Sequence, residues 1–211
     1  MDTMSERVIS MAEANSNHVK AICDAALKLF QKNGYEDVSV NDICKEAGIA
    51  RSTFYLNFAN KKEIVAKLLD DARVNHEDFL GDFVEADNDF ERMWILCNRY
   101  LDVVIDFGPE LTATVFELEL MGELDVLDTV HTIDEWFVTL TKNAQSSGVI
   151  LGADPPEILA PLGVDIAYYT TYEWCKRGGS FDLRKVVRRR AEALYTIAPE
   201  HRMSDEELEK L

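Results

Sequence analysis

Residues 18–62 read HVKAICDAALKLFQKNGYEDVSVNDICKEAGIARSTFYLNFANKK. Ile22, Ala25, Ala26 and Leu29 recur at the i, i+3, i+4, i+7 spacing of a helix with one apolar face, and Gly34 follows as a stop. Val40, Ile43, Cys44 and Ala47 repeat the pattern, opened by Ser39 with Asp42 three residues on and closed by Gly48. The run from Arg51 to Phe58 makes a third short helix, so the expected elements are about 18–33, 40–47 and 51–58. The last two are joined by Ala47-Gly48-Ile49-Ala50, where glycine takes a positive φ at little cost. Two short helices across such a turn form a helix-turn-helix.

At about 100° per residue, Phe54 and Phe58 share one face of the third helix and would pack inward. Ser52, Tyr55 and Leu56 then point away, with Thr53 and Asn57 on the flanks. Arg51 lies in the first turn, the end that reaches base edges when such a helix enters the major groove. An outward face of small hydroxyls, one Tyr and one Leu suits phosphates and thymine methyls, and Arg51 can pair bidentately with guanine. Ser39 and Val40 begin the second helix, whose free N–H groups and dipole favour an anion. Lys61 and Lys62 begin a fourth helix that Asn60 can cap, and they suit backbone positioning rather than sequence reading.

The stretch from Ala21 to Leu69 resembles the N-terminal domain of the TetR family of transcriptional regulators. The matching elements are Ala25-Ala26-Leu27, Leu29-Phe30, Gly34-Tyr35, Ser39-Val40, Ile43, Ala47-Gly48-Ile49, Thr53-Phe54-Tyr55, Phe58 and Lys61. The resemblance implies a homodimeric repressor of double-stranded operator DNA, binding a palindrome with two recognition helices. It implies release by a small-molecule effector in the C-terminal domain. Carried over by position, Thr53, Tyr55 and Lys61 match phosphate-contacting residues. Arg51, Ser52, Leu56 and Asn57 match base-reading positions, and Phe30, Ile43, Phe54 and Phe58 match core positions. Two features depart from the family pattern. Ala50 replaces a frequent Ser cap, and the residues before the first helix are net acidic where many relatives carry a basic arm.

The charge distribution limits this reading and then supports it. The 211 residues carry a net charge of −17, which for a whole domain argues against nucleic acid. Residues 1–17 are −2, residues 18–62 carry seven Lys/Arg against five acids for +2, residues 63–183 are −18, and residues 184–211 are +1. The acid lies outside the helix-turn-helix. The expected organisation is an extension over 1–17, a DNA-binding domain over 18–62, a regulatory and dimerisation domain over 63–198, and a polar, frayed tail over 199–211.

Hydrophobic periodicity beyond residue 62 is helical almost throughout, so the chain reads as all-α with about nine helices. A fourth helix runs from Asn60 to about Val84, and a stripe from Phe90 to Val104 ends at Gly108-Pro109. Further helices fall near 110–121, 123–147, 155–177 and 182–197. Trp94, Tyr100, Phe116, His131 and Trp136 are the candidate ligand-pocket residues, although core packing is the default role of aromatics in a helical domain. The nearby carboxylates Asp102, Glu117 and Glu119 would favour a cation. Leu162, Ile166 and Tyr169 on one helix, with Val187, Ala191 and Leu194 on the next, are the candidate dimer interface. Arg184, Lys185 and Arg188-Arg189-Arg190 read as ion-pair partners for the acidic residues rather than as a second DNA patch.

Other functions find little support. Cys23, Cys44, Cys97 and Cys175 are widely spaced and sit in apolar helical stretches, which reads as buried reduced thiols in a cytoplasmic protein, with a redox sensor as the minor alternative. The sequence shows no HxxxH, ExxH, CxxCH, GxSxG or glycine-rich phosphate loop, so no metal, no cofactor and no enzymatic activity is expected. No run is long and apolar enough for a membrane span, and the N-terminus does not read as a secretory signal. The alternatives are a C-terminal domain that binds a protein partner and, more remotely, an α-helical enzyme.

Overall fold

The computed structural model describes residues 3–74, 79–124 and 130–210, with side chains over 16–72, 80–124 and 135–210. Among these residues the fold is all-α. Its helices are α1 (Thr3–Asn33), α2 (Val40–Ala47), α3 (Arg51–Asn57), α4 (Lys61–Val74), α5 (Phe79–Glu85), α6 (Asp89–Leu120), α7 (Val130–Ser146), α8 (Pro156–Lys176), α9 (Leu183–Leu194) and α10 (Asp205–Leu208). A 3-10 turn covers Pro199–His201, and an antiparallel bridge joins Ile150 to Ile197. No described helix is long and apolar enough to cross a membrane.

The chain packs as two compact units, Met1–Asn75 with Thr114–Leu124, and His76–Ala113 with Asp125–Leu211. The first unit is larger than the expected 18–62. Ile64 and Val65 of α4 are fully buried and α4 packs on α1, so this helix belongs to the head along its length. Helix α1 also begins at Thr3 rather than near residue 18. Residues 3–17 contain neither Gly nor Pro, so nothing in them stops a helix from extending backwards. Ile22, Ala26 and Phe30 of α1 close over Ile43 of α2 and Phe54 of α3 in the head core.

The second unit holds two apolar clusters. One gathers Phe90, Met93, Phe137, Leu140, Ile150, Tyr195 and Ile197, and the other gathers Trp94, Leu101, Val104, Trp174, Leu183 and Val187. The expected break at Gly108-Pro109 is present within α6. Gly108 takes φ 77° and ψ 168°, a conformation that costs a side-chain-bearing residue heavily, and the following proline cannot donate back into the helix.

The arginines of α9 are ion-paired. Arg188 is fully buried, bonds Glu91 at 2.5 and 2.9 Å and Glu192 at 2.9 Å, and lies against the Phe90 and Trp94 rings. Burial opposes its charge, but the hydrogen bonds and charges of Glu91 and Glu192 outweigh that and raise its pKa. Arg184 pairs with Asp102, Arg190 with Glu173, and Arg189 with Glu192 and Asp205.

The segment after residue 198 is not a frayed tail. Leu208 is buried, Arg202 donates to the Ile197 carbonyl, the Met203 N–H donates to Glu192, and Ser204 with Glu207 forms a capping box on α10. Residues 199–210 are polar in composition, but Leu208 and the α9 side chains Arg189 and Glu192 tie them down.

Candidate nucleic-acid interface

The helix-turn-helix is set by local chemistry. Ser39 caps α2 by accepting the Asp42 N–H at 3.2 Å, while the Asp42 carboxylate accepts the Ser39 N–H at 3.0 Å. Gly48 ends α2 with φ 66°, and its N–H donates to the Cys44 and Lys45 carbonyls. Helix α3 then begins after Ala50, which supplies no side-chain cap. Asn60 caps α4 by accepting the Glu63 N–H at 3.2 Å, and Glu63 reaches back past the cap to accept the Ala59 N–H at 2.7 Å.

Phe54 and Phe58 are buried and in ring contact, which turns the rest of α3 outward. Arg51 and Ser52 are exposed, Tyr55 is 49% exposed and Leu56 is 84% exposed. The structure thus brings four of the expected DNA-facing side chains onto one surface. Arg51 Nη2 donates to the Tyr55 hydroxyl at 3.3 Å and its guanidinium carbon lies 5.5 Å from the Tyr55 ring centroid. The Tyr55 and Phe54 rings meet in a T-shaped contact, with centroids 5.3 Å apart.

Of the other expected contacts, Asn57 and Ser39 have their side chains engaged within the chain, and Thr53 and Val40 are half-buried. Asn57 is half-buried and its Nδ2 donates to the Thr53 carbonyl at 2.7 Å, so its amide is spent on its own helix rather than presented to bases. Its Oδ1 is buried without a hydrogen-bond partner. Thr53 is half-buried. The Ser39 hydroxyl is committed to Asp42, and that carboxylate sits where a phosphate was expected at the start of α2. Hydrogen bonds from the Ser39 hydroxyl and backbone hold the Asp42 pKa below the ordinary carboxylate range. Val40 is half-buried in the first turn of the same helix.

Lys61 donates to the Tyr35 carbonyl at 2.6 Å and sits 4.3 Å from the centroid of the Tyr35 ring. Burial lowers its pKa, against a raising influence from Glu36 and Asp37. It fastens α4 to the loop after α1 with one of its three N–H donors, leaving two for a phosphate. Lys62, its neighbour, pairs with Glu123 at 2.7 Å. Sequence reasoning missed Tyr35 as the partner of Lys61, although Gly34-Tyr35 stood in the matching motif. Burial pushes that phenol up to about 12. It also missed Lys32 and Lys45, which are exposed and, like Arg51, have no carboxylate ion-pair partner among the described residues. The same unit contains a cleft of about 490 Å³ lined by Tyr35, Tyr55, Lys61, Leu118, Met121 and Glu123, among others.

Of the expected pocket residues, Trp94 and Tyr100 share one apolar cluster of the second unit, Trp94 buried within it and Tyr100 packed against it. Tyr100 stacks on Tyr168 at 5.2 Å, and burial raises its hydroxyl pKa well above the ordinary value. Trp136 is 58% exposed and leans on Phe83 at 6.4 Å, so it lines no interior space. Phe116 belongs to the first unit. The His131 side chain lies outside the described residues. The stripe that makes Trp94 buried is the same one that builds the core.

The expected dimer residues also divide. Leu162 and Tyr169 of α8 are exposed and Ile166 is half-buried; with Ile158 and Tyr172 they form an uncovered apolar stripe. Val187 of α9 is only 1% exposed inside its own chain, so it offers nothing to a second copy. Ala191 and Leu194 pack against the cluster around Phe90. Helix α9 turns its apolar face inward to its own unit, whereas α8 keeps an outward one. The four cysteines are free thiols. Burial pushes Cys23 and Cys175 up to about 11 and Cys97 up to about 12, the opposite direction from a reactive thiolate.

Comparison with known proteins follows the same line. Residues 22–68 match the family model described as bacterial regulatory proteins, tetR family. The chain is 26% identical over 155 residues to a fatty acid metabolism regulator protein of Bacillus subtilis, covering 69% of this chain and 73% of that one. It is 36% identical over 105 residues to a putative mycofactocin biosynthesis transcriptional regulator of Mycobacterium tuberculosis, spanning 44% of this chain and about half, 53%, of that relative. Its fold is similar to FadR from Bacillus subtilis, solved with stearoyl-CoA, with TM-score 0.62, 22% identity and coverage of 84% and 97% of the two chains. It is also similar to AibR, solved with isovaleryl coenzyme A and operator DNA, with TM-score 0.60, 16% identity and coverage of 86% and 100%.

Proposed function

We propose that this chain is a transcriptional regulator of the TetR type, a homodimeric repressor released from a palindromic operator by a small molecule; the match of residues 22–68 to the tetR family model and the likeness to FadR support that premise. The observation that carries the reading is the outward face of α3. Arg51, Ser52, Tyr55 and Leu56 stand exposed beside a buried Phe54 that fixes their direction. Residues of these types at the start and on the open side of a second helix are what major-groove entry requires. Lys61, with two free donors, supplies backbone positioning.

The uncovered stripe on α8 supports dimerisation, since a two-fold contact joins one patch to its own copy. Two heads held at a fixed spacing would then read two half-sites one helical turn apart, or a multiple of it. The effector is a small molecule with an extended apolar part, bound in the second unit. The acyl-CoA complexes of FadR and AibR support that class. The net charge of −18 over residues 63–183 disfavours a polyanionic headgroup, so the free fatty acid is a necessary comparison with the thioester.

The test uses a duplex recovered from a random-sequence pool by the full chain. Sedimentation of the complex gives two chains per palindromic duplex. A series of acyl-CoA thioesters and free fatty acids then releases the DNA at micromolar to millimolar concentration. One chain per duplex contradicts the dimer. Retention of the DNA across the whole series favours a protein partner as the releasing agent.

A further inference from the structure

Arg51 and Tyr55 lie four residues apart on one flank of α3, and each constrains the other. Arg51 has no carboxylate partner among the described residues; its guanidinium donates to the Tyr55 hydroxyl at 3.3 Å and lies 5.5 Å from the ring centroid. Tyr55 is in turn braced by a T-shaped ring contact with Phe54, which is completely buried. A long, exposed arginine is thereby tied through one aromatic ring to the core of the head.

The chemistry of the phenol completes the arrangement. A hydroxyl accepts and donates at once. The Tyr55 oxygen accepts from Arg51, so its own O–H remains available to an acceptor outside the protein. Arg51 has further N–H groups on its fork, enough for the paired acceptors at O6 and N7 of a guanine.

We propose that Tyr55 is a positioning residue that couples base reading to backbone register. Its O–H donates to a DNA phosphate while its oxygen holds Arg51 in the orientation that reads a guanine in the same half-site. The proposal rests on the operator-binding reading above. It separates two roles that a list of contacts would keep apart: the phosphate contact of Tyr55 sets how well Arg51 discriminates, as well as how tightly the chain binds.

The test starts from a duplex selected by the wild-type chain out of a random pool. At each guanine of the half-site, 7-deazaguanine is substituted, which removes N7 alone. The ratio of the two dissociation constants reports Arg51 reading, and a bidentate arginine contact gives a ratio of about 5- to 150-fold. One guanine is expected to show such a ratio with the wild-type chain and a ratio near one with Arg51→Ala. Tyr55→Phe keeps the ring contact with Phe54, and circular dichroism confirms its fold. It is expected to weaken binding and also to lower the ratio at that guanine at least threefold.

A Tyr55→Phe chain that binds all duplexes more weakly with an unchanged ratio overturns the proposal, because that is the pattern of a phosphate contact alone. An unchanged ratio with Arg51→Ala overturns it too, since Arg51 is then not the reader. Failure of the wild-type chain to select any duplex overturns the operator-binding reading itself, and is distinguished by occurring before either variant is made.

Discussion

The two units use their arginines in opposite ways. In the head, Arg51 is exposed and, among the described residues, rests on the Tyr55 phenol oxygen and ring without a carboxylate ion-pair partner. In the second unit, Arg188 is fully buried between Glu91 and Glu192 and flanked by two aromatic rings. A guanidinium compensated by its own chain has no capacity left for a partner. One left uncompensated on a surface costs little in water and is ready for an external anion. Within the head the lysines divide in the same two ways: Lys20, Lys28, Lys62 and Lys67 pair with carboxylates, whereas Lys32 and Lys45 have no carboxylate ion-pair partner among the described residues.

The sharpest way to break the comparison is to remove the buried arginine. Arg188→Met takes the guanidinium away from Glu91 and removes one of the two arginines that hold buried Glu192, and stability falls by about 3 kcal/mol, the low end for breaking a buried pair, measured as the urea midpoint. The sequence preference of the surviving folded fraction does not change. A variant that is as stable as wild type would show that Arg188 is not a structural clamp. Next in size is Arg51→Ala, which leaves the urea midpoint within about 0.5 kcal/mol but removes ~1–3 kcal/mol of discrimination against the wrong base. If Arg51→Ala destabilises the fold instead, the division between the two arginines fails.

The smallest expected effects concern the cap of α2. Ser39→Ala costs about 1 kcal/mol through the lost N-cap. The acid limb of the stability profile carries the signature of Asp42. Its pKa is lowered in the folded state, so the stability it contributes is present above the ordinary carboxylate value and disappears as the pH falls through the lower folded value. Asp42→Asn removes that part of the acid dependence, and equilibrium unfolding at a series of acid pH values shows a flatter limb. A limb as steep as that of wild type would mean the capping box does not persist in solution.

The head was legible where its signals are local. Ser39, Gly48 and the Phe54–Phe58 spacing place α2, the turn and α3 within a residue of the structure, because a cap, a positive φ and a helical face each depend on a few neighbours. Residues whose role rests on a distant or subtle partner were not legible. Lys61 is engaged by a carbonyl 26 residues earlier, and Asn57 folds back on its own helix. Neither signal exists in a pattern of residue types.

Beyond the head, the helices of residues 156–194 were legible but their rotation was not, and two bounds were not legible either: the helix expected from Asn60 to about Val84 is described as α4 and α5, with residues 75–78 outside the described residues, and the one expected over 123–147 is described from Val130. Helices α8 and α9 both carry apolar stripes, and only packing decides that Val187 faces inward while Tyr169, 61% exposed, faces out. The order of the C-terminal residues depends on Arg189 reaching Asp205 and the Met203 carbonyl, again a tertiary matter.

The central claim is that the +2 head of a −17 chain presents α3 to duplex DNA. The most direct measurement is the affinity of the full chain for a duplex selected from a random pool, followed as a function of salt. The account predicts a linear fall of log K with log salt, with a slope of about −0.9 per phosphate contacted, and loss of selectivity in Arg51→Ala. Failure to retain any duplex from the pool at low salt, or retention with the same selectivity after Arg51→Ala, would contradict it.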